Sequence, residues 1–190
     1  NGEPTDNRLG ATTRGVYRAR LRAVGRAAHS SRPELGVSAI DKLIDAIVAL
    51  RAVQWPEDTA LGKTFYSIGV MKGGVAPNVI SPDAEAEVMF RTIGGHEELR
   101  RLIVQHAGSL VSVDDVLVVP PVRLGTIPGL DTAVFAYTTD IPFLDRWGMP
   151  LLIGPGSVTL AHTADEYCEI AELERAVDLY AQIAGQLLQS

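Results

Sequence analysis

A single cysteine, Cys168, in 190 residues rules out an intrachain disulfide and a cysteine-built zinc site. Any metal would have to be held by histidine and carboxylate side chains. No apolar run approaches the roughly 18 residues that cross a bilayer, and no signal-peptide pattern is present. Positive charge is also short. The 17 Lys and Arg against 23 Asp and Glu give a formal net charge of -6, which argues against nucleic acid or an anionic membrane as a partner. Small molecules or proteins fit better, in a cytoplasmic setting. The chain lacks an initiating methionine too: it opens on Asn1 at a Gly-Glu-Pro-Thr turn, which reads as a cut edge. What it does have is 46% hydrophobic residues, enough for a core in one domain or two small ones.

Alternation marks the first regular element. From Gly15 to Val24, Tyr17, Ala19, Leu21 and Ala23 face one way and Arg18, Arg20 and Arg22 the other, the pattern of a half-buried strand with a solvated outer face. A polar loop, Gly25 to Pro33, leads into a helix expected over 36–53 with Val37, Ile40, Ile44, Ile47 and Val48 on its apolar side. Lys63 to Lys72 and Ala84 to Arg91 read as strands joined through Gly73-Gly74 and Pro77-Asn78. A helix from Gly95 to Ala107 and a strand from Val113 to Val119 follow. The order strand, helix, strand, strand, helix, strand predicts a ferredoxin-like β-α-β-β-α-β sandwich and an α+β class. Past Pro120-Pro121 the composition returns to α/β character. A strand is expected over 133–137, an apolar run over 150–153, and a last helix carrying Leu173, Val177, Tyr180, Ala184 and Leu187.

Several polar residues stand where chemistry could use them. In the loop Gly154 to Tyr167, His162 lies among Thr163, Asp165 and Glu166. Gly154, Gly156 and Ser157 offer backbone amides and a hydroxyl to a metal or anion, although a solvated turn has the same composition. Pro4 pushes Glu3 into an extended conformation, either as a carboxylate leaving a strand end or as an ordinary loop acid. His29, between small and polar residues, is either an exposed hydrogen-bonded side chain or a donor to a substrate oxygen. Asn78 is otherwise a turn former, and Arg91 an exposed charge at a strand end. His96 and His106 have no partner cluster and receive no role.

Taken together, Gly2-Glu3-Pro4-Thr5, Gly25 to Ser31 with Pro33 and Gly36 to Ile40, Gly73-Gly74 with Pro77 to Ile80, Phe90-Arg91, Gly154 to Ser157 and Ala161 to Tyr167 resemble one family. It is the di-zinc amidohydrolases that include acetylornithine deacetylase, succinyl-diaminopimelate desuccinylase, aminoacylase and the glutamate-releasing carboxypeptidases. The segment Tyr137 to Asp140 and the serines after His29 look most like the acetylornithine deacetylase branch. The resemblance implies a ferredoxin-like dimerisation (lid) domain, residues 13–119, inserted into an incomplete α/β zinc-peptidase catalytic domain, residues 1–12 and 120–190. It implies Glu3 and His162 as metal ligands and His29 as a catalytic donor to the developing oxyanion in a partner subunit. Asn78 and Arg91 then bind the substrate carboxylate, and Gly154, Gly156 and Ser157 line the substrate pocket. Two zinc ions, or cobalt or manganese in their place, serve the full-length enzyme. The partners implied are a second copy in a homodimer and an N-acyl amino acid.

The family's histidine-x-aspartate motif and paired glutamates do not occur here, since no histidine precedes His29 and Glu97-Glu98 opens a helix. The chain is therefore expected to be a C-terminal fragment that does not hydrolyse its substrate alone and has too few ligands to hold a metal. The alternative is a homodimerisation module or non-catalytic binding protein.

Overall fold

The computed structural model describes residues 1–189. In chain order the elements are β1 (Leu9–Thr13), β2 (Gly15–Val24), α1 (Ala39–Arg51), a short hairpin of β3 (Glu57–Asp58) and β4 (Gly62–Lys63), β5 (Phe65–Gly73) and β6 (Asp83–Thr92). Next come α2 (His96–Ala107), β7 (Ser112–Val119), β8 (Val122–Arg123), β9 (Thr132–Phe135) and α3 (Ile170–Leu187). They fall into two compact units, Gly15–Pro120 and, around it in sequence, Asn1–Arg14 with Pro121–Ser190.

In the Gly15–Pro120 unit the antiparallel sheet has the order β5-β6-β2-β7, with α1 and α2 packed together on one face. This is the ferredoxin-like topology, and the chain is an α+β protein. Its core forms because β2 and β6 each turn every second side chain inward. Tyr17, Ala19, Leu21 and Ala23 meet Ala84, Ala86, Val88 and Phe90 beneath Leu43, Ile47, Leu50, Leu99 and Ile103. Each large side chain so buried contributes about 1.5–3 kcal/mol. Small alanines between the rings let the helices come close, and Trp55, Tyr66, Phe90 and Tyr17 stack in a chain of contacts at 4.9–5.9 Å between centroids.

The outer face carries the arginine row, which is more than a solvated surface. Arg20 reaches Glu87 at 2.6 Å, Arg22 lies 3.6 Å from Glu85 and 3.4 Å from Asp114, and Arg18 lies 3.9 Å from Glu87.

The helix α1 sits rotated from the expected face, whereas α2 buries the expected Leu99 and Ile103. In α1, which begins at Ala39 under a Ser38 cap, the buried side is Ala39, Leu43, Ala46, Ile47 and Leu50. Ile44 and Val48 remain 47% and 57% exposed, and Val37, before the helix, is exposed as well. The helix carries two apolar stripes, and the one that places Leu43, Ile47 and Leu50 among small alanines faces the sheet. In α2, His106 is exposed while Leu99, Ile103 and Ala107 are buried. His96, expected at the surface, instead packs its ring 5.3 Å from that of Tyr17.

The second unit has a small sheet ordered β8-β1-β9, in which β1 runs parallel to β9 and antiparallel to β8. The five residues of β1 are too few to show a period, so the strand was hidden in what reads as a turn-rich start. The expected strand over 133–137 is β9, and the run 150–153 lies extended without being a strand of this sheet, with Leu152 fully buried. Two further core clusters, around Leu9, Ile153 and Ile183 and around Phe135, Ile141 and Leu152, hold the unit together. The expected face of α3 is corrected: Ala176 and Ile183 are buried, whereas Leu173, Val177, Tyr180 and Leu187 are exposed.

Candidate active site loops

The strongest local feature of the second unit is the lacing of two loops about 150 residues apart. The amides of Thr5 and Asn7 both donate to the carbonyl of Gly154, at 3.1 and 3.0 Å, and the amide of Asp6 donates to the carbonyl of Gly156 at 2.9 Å. The Thr5 hydroxyl closes the pattern, donating to the Gly154 carbonyl and accepting from the Gly154 amide at 3.0 Å. Only glycine fits at 154, because a Cβ there would strike the carbonyl oxygen of Glu3. Glu3 thus lies against the loop that carries Gly154, Gly156 and Ser157.

Three side chains to which the sequence analysis gave no site role hold this arrangement. Glu172, in the first turn of α3, accepts from the Gly156 amide at 2.7 Å, and its backbone carbonyl accepts from Asn7 Nδ2 at 3.0 Å. Tyr180 donates to the Ile153 carbonyl at 3.0 Å. Tyr137 donates to the Pro4 carbonyl at 2.9 Å. Burial, with the carboxylates of Glu3 and Asp6 adding to it, pushes the Tyr137 hydroxyl above its ordinary range, so it stays a donor. An acid in a helix's first turn is a sequence signal that could have found Glu172.

His162 sits further along the same loop with φ 64°, in the left-handed region that histidine rarely adopts. Its amide donates to Glu166 Oε2 at 2.9 Å, and the side chain is exposed. Glu3 and His162 are a carboxylate and an imidazole, donors suited to a divalent transition metal. Among the described residues, however, no group of three or more His, Cys, Asp or Glu could hold a metal ion.

In the Gly15–Pro120 unit the structure brings His29 and Asn78 together. The amide of Ser30 donates to the Asn78 carbonyl at 2.9 Å, the Ile80 amide to the Ala28 carbonyl at 2.8 Å, and His29 forms a β-bridge with Val79. Gly25 allows this crossing, since a Cβ there would collide with the carbonyl of Val37. Both side chains are exposed. Arg91 is elsewhere. It lies near the far end of β6, paired with Val16 and Phe65, whereas the His29 loop is attached beyond Asp83 at the other end. Eight residues of strand separate those ends by roughly 26 Å. Burial lowers the pKa of the Arg91 guanidinium from its ordinary value.

The fold and these loops define a class: an α+β protein whose ferredoxin-like sheet is inserted between the two laced loops of a smaller α/β unit. The family model of the M20 peptidase dimerisation domain matches residues 11–113, and the chain belongs to this M20 peptidase family. A peptidase M20 domain-containing protein of Schizosaccharomyces pombe is 36% identical over 189 residues, covering 96% of this chain and 46% of that protein. A probable carboxypeptidase of Aspergillus fumigatus is 33% identical over 205 residues, covering 96% of the chain and 47% of that protein. The chain spans about half the length of the curated relatives it matches. Among solved structures, an aminopeptidase from Bacillus cereus superposes with a TM-score of 0.61 at 16% identity, covering 82% of this chain and 48% of that one. A putative aminohydrolase from Staphylococcus aureus gives 0.58 at 15% identity, covering 91% and 52%. These two likenesses concern the fold alone. No helix among the described residues is long and apolar enough to cross a membrane.

Proposed function

We propose that this chain is part of a metal-dependent amidohydrolase that removes the acyl group from an N-acyl amino acid, in the manner of the acetylornithine deacetylase branch. The observation that carries the reading is the lacing of the Glu3 loop to the Gly154–Ser157 loop, which joins the two sequence motifs bearing the proposed ligands Glu3 and His162. Zinc, cobalt or manganese would suit such donors, with the other ligands supplied by polypeptide outside this chain. Gly154, Gly156 and Ser157 line the acyl-amino-acid pocket. His29 donates to the developing oxyanion, and Asn78 and Arg91 bind the substrate carboxylate.

Residues 13–119 are assigned as the dimerisation lid. With His29 and Asn78 at one end of the sheet and Arg91 at the other, a ligand the size of an amino acid meets both ends only if two copies contribute. The surface for that pairing is the β5 edge. The other edge, β7, is blunted by Asp114 and Asp115, which are engaged by Arg22, Arg100 and Tyr17. β5 has no charge before Lys72 and exposes Phe65, Val70 and Met71, because a bulge at Gly69 breaks its alternation. Ile40 approaches Gly74, just past β5, and heads the stripe Ile40, Ile44, Val48 on α1, so helix stripe and open edge form one apolar surface. A second copy covers it.

Hydrolysis of N-acetyl amino acids by the full-length protein is the test. His162→Ala should abolish turnover and release bound metal, and the 190-residue chain alone should show none. Unchanged turnover and metal content in His162→Ala would overturn the ligand assignment.

A further inference from the structure

His29 lies in a loop whose own backbone decides which ring nitrogen carries the proton. The amide of Ser31 donates to His29 Nδ1 at 3.2 Å. An amide N–H can only donate, so Nδ1 must present a lone pair, and the neutral ring carries its hydrogen on Nε2. The Ser31 hydroxyl stands 2.8 Å from the same nitrogen and can donate to it as well. The loop is held in place for this. Ser30 donates to Asn78, Arg32 donates back to the His29 carbonyl at 2.9 Å, and the β-bridge to Val79 fixes the chain on the other side.

We propose that Ser31 is a positioning residue that locks His29 as the Nε2–H tautomer. The edge of the ring opposite Nδ1 is then a hydrogen-bond donor toward an oxygen, either a carbonyl polarised during reaction or a carboxylate. The role of His29 as a donor rests on the hydrolase reading given above; the tautomer does not. Without the Ser31 hydroxyl, Nδ1 keeps only the longer backbone hydrogen bond from residue 31, and the ring is held less firmly as the Nε2–H donor toward the substrate oxygen.

Long-range proton–nitrogen NMR of the 190-residue chain at about pH 8.5, where an ordinary imidazole is neutral, reads the tautomer without substrate or metal. We expect His29 Nε2 to carry the proton and Nδ1 to be deshielded relative to that of the exposed His106, whose Nδ1 is averaged over both tautomers. Ser31→Ala should move the Nδ1 resonance toward the His106 position, and Ser31→Thr should restore it. A dominant Nδ1–H form overturns the tautomer assignment, and an Nδ1 resonance unmoved by Ser31→Ala overturns the positioning role of the Ser31 hydroxyl. In the full-length enzyme Ser31→Ala should lower kcat by roughly ten-fold with KM nearly unchanged, and Ser31→Thr should recover most of it. An unchanged kcat despite a shifted resonance overturns the positioning role. An inactive wild-type protein with the expected spectrum would count against the hydrolase reading alone.

Discussion

His162 keeps a backbone conformation at φ 64° that costs an ordinary side chain about 1–2 kcal/mol relative to glycine. Nothing in its own packing requires a histidine, since the side chain is exposed. The proposed ligand role would account for strain kept at an exposed imidazole. Replacing it with glycine should therefore leave the chain more stable than the alanine variant by about 1 kcal/mol, measured by urea unfolding, while both variants lose the metal-dependent activity of the full-length protein. Equal stability of the two would remove the strain argument. A second residue-scale expectation concerns Glu87. Its hydrogen bond to Arg20 holds the carboxyl below the usual carboxylate range. A depressed folded pKa stabilises the fold above the unfolded value, about 4.3, and that contribution is lost as pH falls through the folded value. Glu87→Gln should thus lower the thermal midpoint at neutral pH and converge on the wild type as pH falls through the folded value. A difference that widened on acidification would reverse the sign and the assignment.

At the scale of elements, α1 and α3 make the same point. Both are amphipathic on two sides, and in both the side facing the core mixes alanines with large residues, Leu43, Ile47 and Leu50 on one helix and Ile183 on the other. Further apolar side chains, Ile44 and Val48 on one helix and Leu173, Val177 and Tyr180 on the other, are left exposed. On α1 that stripe lies next to the uncharged β5 edge. Ile44→Asp combined with Met71→Lys should weaken self-association by about 100-fold or more, seen by sedimentation as a monomer at micromolar concentration, with the circular dichroism of the fold retained. A wild-type chain monomeric throughout the high micromolar range would remove the dimer interface from the reading.

For the molecule as a whole, the six elements of the ferredoxin-like unit were legible because their signals are local. Tyr17 to Ala23 alternates over a full strand, and Leu99 and Ile103 repeat at helical spacing, whatever surrounds them. The sites were legible only as separate stretches. The sequence alone settled that any metal must use histidine and carboxylate and that no disulfide braces the fold. It also showed that a strand–helix order of β-α-β-β-α-β was available, because composition and period depend on neighbours within a few residues. The tertiary structure decided what depends on distant ones. It put Glu3 against Gly154 through backbone hydrogen bonds that no period announces. It placed His29 beside Asn78 but Arg91 at the other end of β6, since strand length and register, not sequence order, set those distances. It also chose which of two apolar stripes on α1 faces the core, because Leu43, Ile47 and Leu50 are buried with residues of β2 and β6 that lie far away in sequence.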